Sequence, residues 1–243
     1  SINGFIEGRS PFSALNGIVA ENLDEALAAV DWYAARGFGQ LKLYNSIRPE
    51  WVQPIAARAH AQGLRVGGHV PAFMRAEQAV RAGYDELHHI NQVMLNFLVG
   101  PKDDTRTLLR FYRVGEKANE VALDAPKMRA FIGLLRERGT VVDPTAGIFE
   151  TMFTQRNGAM SPAFAPVFEH LPVVQRRNLL SNSLDVNDAN AARFAASWQR
   201  LLGMIGAMHR AGVPLVAGTD GWAGFGLHRE LEHPSHRERR LAL

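Results

Sequence analysis

Five segments of the chain repeat one pattern of apolar and polar positions. In each segment an amphipathic helix ends at a glycine, and a short apolar strand that finishes on a polar residue follows it. Because glycine readily adopts the left-handed conformation that closes many helices, the repeat predicts five helix–strand units. The glycines that end these helices are Gly37, Gly63, Gly83, Gly139 and Gly212.

The first two units carry additional helix signals. Asn22 can cap the first helix, with Glu25 three residues later as its capping-box partner. Pro49 suits the first turn of the second helix, because its fixed backbone angle already matches helical geometry. The opening segment, SINGFIEGRSPFSALNG, is predicted as a loop that leads into the first helix.

Helices that alternate with short buried strands favour a parallel α/β sheet, either doubly wound or closed as a (β/α)8 barrel. Two longer connections, residues 93–125 and 146–188, follow the carboxyl ends of strands, where barrels carry their active sites. Residues 1–232 are therefore predicted as one α/β domain and residues 233–243 as an irregular tail. Five strands in an open sheet leave two edges, which a partner such as a second copy could cover.

Polar side chains end each predicted strand, and in a parallel barrel these ends converge on one rim. Imidazole and carboxylate groups suit zinc, so the set is a candidate divalent-metal site. Taken singly, each member has a plainer interpretation: a hydrogen-bonded core histidine, or a turn aspartate in the sequence GTD. The strand-end residues are Lys42 and Tyr44, His69, His88 or His89, Asp143 and Thr145, and Asp220.

Composition narrows the function classes. The 243 residues carry a mild net charge of +3, and no basic face with interleaved aromatic residues indicates nucleic-acid binding. No apolar run approaches the roughly 20 residues that span a bilayer, so no membrane partner is expected. The chain has no cysteine, which removes disulfides and thiolate ligands. No G-x-G-x-x-G follows a strand, which disfavours a dinucleotide-binding sheet.

The motifs QLKLYNS, LRVGGHV, ELHHIN, VVDPT and LVAGTDGWAGFGLHRELE resemble the amidohydrolase superfamily, in particular imidazolonepropionase-like and Xaa-Pro dipeptidase-like hydrolases. The resemblance covers residues 1–232 and implies strands four to eight of a (β/α)8 barrel. It also implies two zinc ions bridged by a carbamylated Lys42. Further implied roles are metal ligands at His69 and His89, a metal ligand and general acid/base at Asp220, and substrate contacts at Tyr44 and His228.

Two features depart from the family pattern. The His-x-His pair of the first strand does not occur, and the small β-sandwich that follows the barrel has no counterpart. We therefore expect a truncated hydrolase of C–N bonds in amides, cyclic amides or dipeptides, weak or inactive alone. The alternative is a non-catalytic α/β binding or scaffold domain that descends from such an enzyme.

Two questions about the site depend on local pattern. In a strand, His88 and His89 point to opposite faces. His69 and His89 each lie six residues after their glycine, so His89 is predicted to face the site and His88 the helix layer. The two long connections carry aromatic residues and arginines, which either pack those segments or bind an apolar acyl or prolyl group and a carboxylate. The arginines are Arg106, Arg110 and Arg156.

Overall fold

The computed structural model describes residues 3–161, 164–221 and 226–232, so the predicted tail, residues 233–243, lies outside the described residues. Short parallel strands alternate with helices along these ranges. The strands are β1 (Asn3–Gly8), β2 (Ile18–Ala20), β3 (Gln40–Leu43), β4 (Arg65–Gly68), β5 (Glu86–His88) and β6 (Val141–Asp143). The α-helices are α1 (Leu23–Ala34), α2 (Pro49–Ala61), α3 (Ala76–Arg81), α4 (Ile90–Leu95), α5 (Leu109–Lys117), α6 (Pro126–Arg138), α7 (Ala146–Thr154), α8 (Val173–Leu179), α9 (Ala191–Arg210) and α10 (Gly226–Glu232).

The six strands form one parallel sheet in the order β2-β1-β3-β4-β5-β6. The last predicted strand is reduced to a single bridge between Leu215 and Val142 of β6. Val142 N–H donates to the carbonyl of Pro214, and Val216 N–H donates to the carbonyl of Val142. The sheet therefore continues beyond β6 at this one point, which brings the segment before Asp220 to the sheet.

The predicted opening loop is wrong, because residues 3–8 and 18–20 are strands. β1 pairs with β3, so the Lys42 strand has a neighbour on the side where none was predicted. The glycines of this segment serve close packing. A Cβ on Gly4 would lie 2.5 Å from the ring of Tyr33, and one on Gly8 would lie 2.1 Å from the carbonyl oxygen of Ser46.

The predicted helix ends are confirmed. Asn22 Oδ1 accepts a hydrogen bond from the backbone N–H of Glu25 at 3.0 Å, and Pro49 is the first residue of α2. The five helix-ending glycines all have positive φ, between 64° and 112°. Four of the five predicted helix–strand units are therefore present with boundaries close to the glycines, and the fifth has its helix but only a single bridge in place of its strand.

The two long connections are not structureless. Helix α4 extends into the first, helix α5 lies within it, and helices α7 and α8 lie within the second. In α7, Phe149 and Phe153 are buried four residues apart, and the ring of Phe153 meets that of Phe194 in α9. This spacing places both rings on one side of the helix, which explains why a segment predicted as a connection folds as a packed helix.

The two faces of the sheet differ in chemistry. One face, the helix face, packs against the helix layer: Gly4 on this face touches Tyr33 of α1. The opposite face, the inner face, carries polar side chains. Fully buried residues of the helix face are Ile6, Leu41, Leu43, Val66, Leu87 and Val142. Polar residues of the inner face include Glu7, Gln40, Lys42, Glu86, His88 and Asp143.

The longest helix is α9, at 20 residues. Within the described ranges, no helix combines the length and the apolar character needed to cross a bilayer.

Candidate active site

His69 and His89 meet at the carboxyl ends of two neighbouring strands. Their ring centroids lie 4.5 Å apart, and the rings are nearly perpendicular. Each histidine directly follows a strand, and the backbone departs from extended geometry at that point. Gly68, which precedes His69, has a φ of 119°, and His89 itself has a φ of 69°. These left-handed positions turn both side chains toward the same cavity.

The His69 ring is held on several sides. Its Nδ1 lies 2.8 Å from Oδ1 of Asn45, so Nδ1–H donates and Nε2 carries the ring's lone pair. The Tyr84 hydroxyl donates to the backbone carbonyl of His69 at 2.9 Å. The Tyr44 ring lies 3.9 Å from the His69 ring, centroid to centroid. This fixed tautomer is the arrangement that metal-binding histidines usually have.

His89 is anchored through one nitrogen and open at the other. Its Nδ1 lies 2.8 Å from the Thr145 hydroxyl. Its Nε2 is buried, and no described residue is within hydrogen-bond distance of it. Oδ2 of Asp220 lies 3.8 Å away from it. A buried polar atom without a partner is unusual and costs free energy unless something binds it.

The surroundings of both histidines favour the neutral form of the ring. Burial lowers the pKa of His69 well below its ordinary value, and His89, Lys42 and Arg110 lower it further. Burial likewise lowers the pKa of His89, and Lys42 adds to this effect. A neutral imidazole presents the lone pair that a metal ion requires.

Asp220 and Lys42 complete the group predicted at this rim. The Asp220 side chain is half exposed, and its backbone has a φ of 43°. Lys42 projects from the inner face, flanked by Leu41 and Leu43, which face the helices. Its ammonium lies 5.9 Å from the centroid of the Tyr44 ring.

The side chains fit a cation in part. Zinc bonds to histidine nitrogen and carboxylate oxygen of about 2.1 Å put two ligands of one tetrahedral ion roughly 3.4 Å apart. The 3.8 Å between His89 Nε2 and Asp220 Oδ2 is close to that separation. Across the described ranges, however, no three His, Asp or Glu side chains come together as a metal-binding group. The predicted ligand set is thus gathered at one rim but not closed around an ion.

The prediction for His88 is wrong. His88 pairs with Asp143 of β6 and shares the inner face with Glu86, rather than pointing to the helix layer. His88 Nε2 lies 2.9 Å from Glu86 Oε1. Burial alone would raise the pKa of Glu86, but hydrogen bonding to His88 holds it below its ordinary value. Strand alternation ends at His88, and the left-handed backbone of His89 brings that side chain back to the inner side.

The two predicted substrate contacts lie in different places. Tyr44 lines a cavity of 90 Å³ together with His69, His89 and Asp220. His228 is exposed on α10 and does not line that cavity. The remaining cavity wall consists of Asn91, Gln92, Arg110, Phe111, Ile148, Phe149 and Met152.

Four residues that the structure places in or beside the site are not among the predicted metal ligands, catalytic residues and substrate contacts. Asn45 and Thr145 hold the two histidine rings, and Asn91 and Arg110 line the cavity. Thr145 was visible as a strand-end polar residue, and Arg110 as one arginine of the first long connection. Asn45 and Asn91 follow strand ends by two residues or more, and no periodicity marks them.

No protein-family model and no curated protein sequence matches this chain. Solved structures do match it in fold. A bottromycin amidohydrolase has a TM-score of 0.60 at 20% identity, over 99% of this chain and 51% of its own. Another amidohydrolase has a TM-score of 0.52 at 18% identity, over 97% of this chain and 51% of its own. A prolidase solved with N-methylphosphonate-L-proline has a TM-score of 0.52 at 14% identity, over 97% and 52%.

These likenesses confirm the predicted fold class. The chain has an amidohydrolase-like fold, a partial (β/α) barrel, and spans about half the length of the solved structures it matches. The sheet differs from the predicted one: β1 and β2 precede the predicted strands, four of those form, and the fifth is a single bridge at Leu215.

Proposed function

We propose that the chain is part of a metal-dependent hydrolase of C–N bonds in amides, cyclic amides or dipeptides. One observation carries the proposal: the buried, unpartnered Nε2 of His89 faces Asp220 beside the neutral ring of His69. The amidohydrolase-like fold supports it, because amidohydrolases and a prolidase share this arrangement of strands and helices.

The donor set suits zinc, with His69, His89 and Asp220 as ligands and a carbamylated Lys42 as a further, anionic oxygen donor. Carbamylation would also explain a lysine on the inner face that forms no ion pair within 4 Å with a described carboxylate, although its charge acts on Asp220. When bound, such an ion polarises an amide carbonyl and lowers the pKa of a coordinated water.

Side chains of the chain would transfer the proton, orient the two histidine rings and contact the substrate. The half-exposed Asp220 can hold a proton and pass it to the leaving nitrogen, because its carboxylate faces both the cavity and solvent. Asn45 and Thr145 fix the orientation of the two rings. Tyr44, with its ring against His69, is positioned to contact substrate. In the family pattern a His-x-His pair supplies further ligands, and none occurs in this chain, so we propose that the chain alone is weakly active or inactive.

Zinc titration followed by calorimetry tests the metal site, with His89→Ala and His88→Ala as a matched pair of neighbours. We expect His89→Ala to weaken zinc binding at least tenfold, since it removes the open Nε2. His88→Ala should leave zinc binding within about twofold and lower stability instead, because it breaks the bond to Glu86. Equal zinc affinity in wild type and His89→Ala would refute the proposed site.

A panel of N-acyl amino acids and Xaa-Pro dipeptides tests the reaction. Any hydrolysis by the zinc-loaded chain should fall by a factor of about a hundred or more in Asp220→Ala, because proton transfer contributes at least this much. Hydrolysis that persists unchanged in Asp220→Ala would contradict the role given to that carboxylate.

A non-catalytic binding domain is the second candidate. The observation in its favour is that, in the part of the chain that the structure describes, no three potential ligands close around an ion. Such a domain would bind a small amide in the cavity without zinc and without turnover. Zinc-independent binding in wild type, with no hydrolysis after zinc is added, would favour this candidate over the enzyme.

A further inference from the structure

Asn91 is a buried polar residue in the cavity wall, and its side-chain amide has no hydrogen-bond partner in the described part of the chain. Its side chain is 1% exposed and lines the same 90 Å³ cavity as His69 and His89. Neither its amide nitrogen nor its amide oxygen has a hydrogen-bond partner among the described residues. Two unsatisfied atoms on one buried amide are costly, so the cavity is built for an occupant that offers both an acceptor and a donor.

Arg110 brings a positive charge to the same cavity. Its Nη1 donates to the carbonyls of Thr105 and Arg106, at 3.1 and 3.2 Å, which orients the guanidinium, and no described carboxylate forms an ion pair with it. The guanidinium lies 4.6 Å from the centroid of the Phe111 ring, and burial lowers the pKa of Arg110 while Tyr44 acts against that shift. A partly buried guanidinium that pairs with no described carboxylate favours binding of an anion.

We propose that Arg110 and Asn91 together select substrates that carry a carboxylate next to an N–H group, as in a small N-acyl α-amino acid with a secondary amide. The carboxylate would accept hydrogen bonds from Arg110 and from Asn91 Nδ2, and the substrate N–H would donate to Asn91 Oδ1. This inference rests on the proposed function, because it assigns the substrate class of the same cavity.

The proposed role of Asn91 predicts that the cavity distinguishes substrates with an N–H group from those without one, which a positive charge alone would not do. An N-acylproline has the carboxylate but no N–H, so it would leave Asn91 Oδ1 unsatisfied. A site built to bind a polar group rejects an analogue that lacks this group, because a buried atom is left without a partner. The small cavity volume also favours a short amino-acid side chain such as alanine.

Three probes differ by one group each and test the proposal on the intact chain. They are N-acetyl-L-alanine, N-acetyl-N-methyl-L-alanine, which lacks the N–H, and N-acetyl-L-alaninamide, which lacks the charge. Binding is measured by ligand-observed NMR or calorimetry, with and without zinc. We expect N-acetyl-L-alanine to bind about fivefold tighter than its N-methyl analogue and about tenfold tighter than the amide, as expected for one neutral and one charged hydrogen bond.

Single substitutions test whether Arg110 and Asn91 cause the differences in affinity among the three probes. Arg110→Gln should weaken N-acetyl-L-alanine about tenfold and abolish its advantage over the amide. Asn91→Leu should abolish its advantage over the N-methyl analogue. Arg113→Gln is the matched control, since Arg113 lies on the same helix but binds Asp103 and the Leu98 carbonyl outside the cavity. Thermal unfolding of each variant separates loss of binding from loss of folding.

Several results would overturn the proposal. They are failure of all three probes to bind, equal affinity for the three in wild type, or unchanged binding in Arg110→Gln. Inorganic phosphate that competes as tightly in Asn91→Leu as in wild type, with no preference for the N–H probe, would indicate a general anion site and also overturn it. The wild-type probe comparison needs no variant to fold. Discrimination among probes by a chain that binds no zinc would refute the proposed hydrolase and leave this inference standing.

Discussion

The helix face and the inner face of the sheet belong to the same six strands, yet they are built under different constraints. The helix face is uniformly apolar, with Leu43, Leu87 and Val142 fully buried. The inner face carries Lys42 and Glu86, which are only partly buried. The hydrophobic effect is non-directional, so apolar side chains stabilise the fold without specific partners. Each buried polar group, in contrast, requires its own hydrogen-bond partner. Stability is therefore expected to come from the helix face and chemistry from the inner face.

Adjacent residues of β5 give the sharpest test of this contrast. Leu87→Ala should destabilise the protein by about 2–5 kcal/mol, because it removes a fully buried side chain and leaves a cavity. His88→Ala, one residue later on the inner face, should cost about 1 kcal/mol, since it mainly loses the hydrogen bond to Glu86. Urea denaturation followed by circular dichroism measures both. A larger cost for His88→Ala than for Leu87→Ala would reverse the proposed division between faces.

Glu7, on the inner face, accepts hydrogen bonds from three backbone N–H groups. Its carboxylate is fully buried and accepts hydrogen bonds from the N–H groups of Gly8 and Ser46, at 2.9 and 2.8 Å, and from that of Ala14. Glu7→Ala leaves these donors without a partner, so we expect a loss of about 1–3 kcal/mol in the free energy of unfolding. Glu7→Gln retains one acceptor oxygen and should lose less. Equal stability of wild type and Glu7→Ala would show that solvent reaches the donors.

The charge of Glu7 predicts a pH effect. Burial raises its pKa above the ordinary 4.5, against hydrogen bonds from Ser46, Gly8 and Ala14 and the more distant charge of Arg106. The folded state then holds the proton more tightly than the unfolded state does. Its contribution is fully present below pH 4.5 and is lost as the pH rises through the folded pKa. The stabilities of wild type and Glu7→Gln should therefore diverge as the pH rises above 4.5, and a constant difference would contradict the raised pKa.

Glycine has two structural roles in this protein: it ends helices with a positive φ, and it allows close packing of neighbouring groups. The helix–strand repeat is predictable because it depends on the first role, which is local. At Gly63 and Gly83 a positive φ closes a helix, and this signal needs only the neighbouring sequence. At Gly4 and Gly17 the glycine admits the side chains of Tyr33 and Phe5. That requirement depends on tertiary contacts, so the sequence alone suggested a loop where β1 and β2 form.

In the candidate site, too, residues that follow a local pattern were predictable and those placed by tertiary contacts were not. His69 and His89 were found because both fall at the same place in a repeat, and the structure puts their rings together. The face of His88 was predicted wrongly because alternation was carried past the end of β5, where the left-handed backbone of His89 breaks it. Asn91 and Arg110 reach the cavity from segments that fold as helices after the strand, and no strand pattern predicts where such side chains point.

The Tyr84 hydroxyl contacts the backbone of the site residue His69, and its removal should lower the free energy of unfolding by less than Leu87→Ala does. Its buried hydroxyl donates to the His69 carbonyl, and burial raises the pKa of Tyr84. Tyr84→Phe keeps the ring and leaves that carbonyl unpaired, so we expect a loss of about 1 kcal/mol. Urea denaturation measures the loss, and zinc titration of the same variant shows whether the His69 backbone shifts. No change in either measurement would mean that a water replaces the hydroxyl.

The smallest effect is expected on the outer surface, where Arg58 and Asp31 form a bidentate pair at 2.8 and 2.7 Å. Hydrogen bonds from Arg58 and Gln62 lower the pKa of Asp31 from 3.8 to about 2. This contribution is fully present above pH 3.8 and is lost as the pH falls toward 2, opposite in sign to that of Glu7. Because both side chains are about half exposed, water screens the pair and the effect is small. The melting temperatures of wild type and Asp31→Asn should differ slightly near neutral pH and converge at pH 2, and a difference that grows toward pH 2 would contradict the sign.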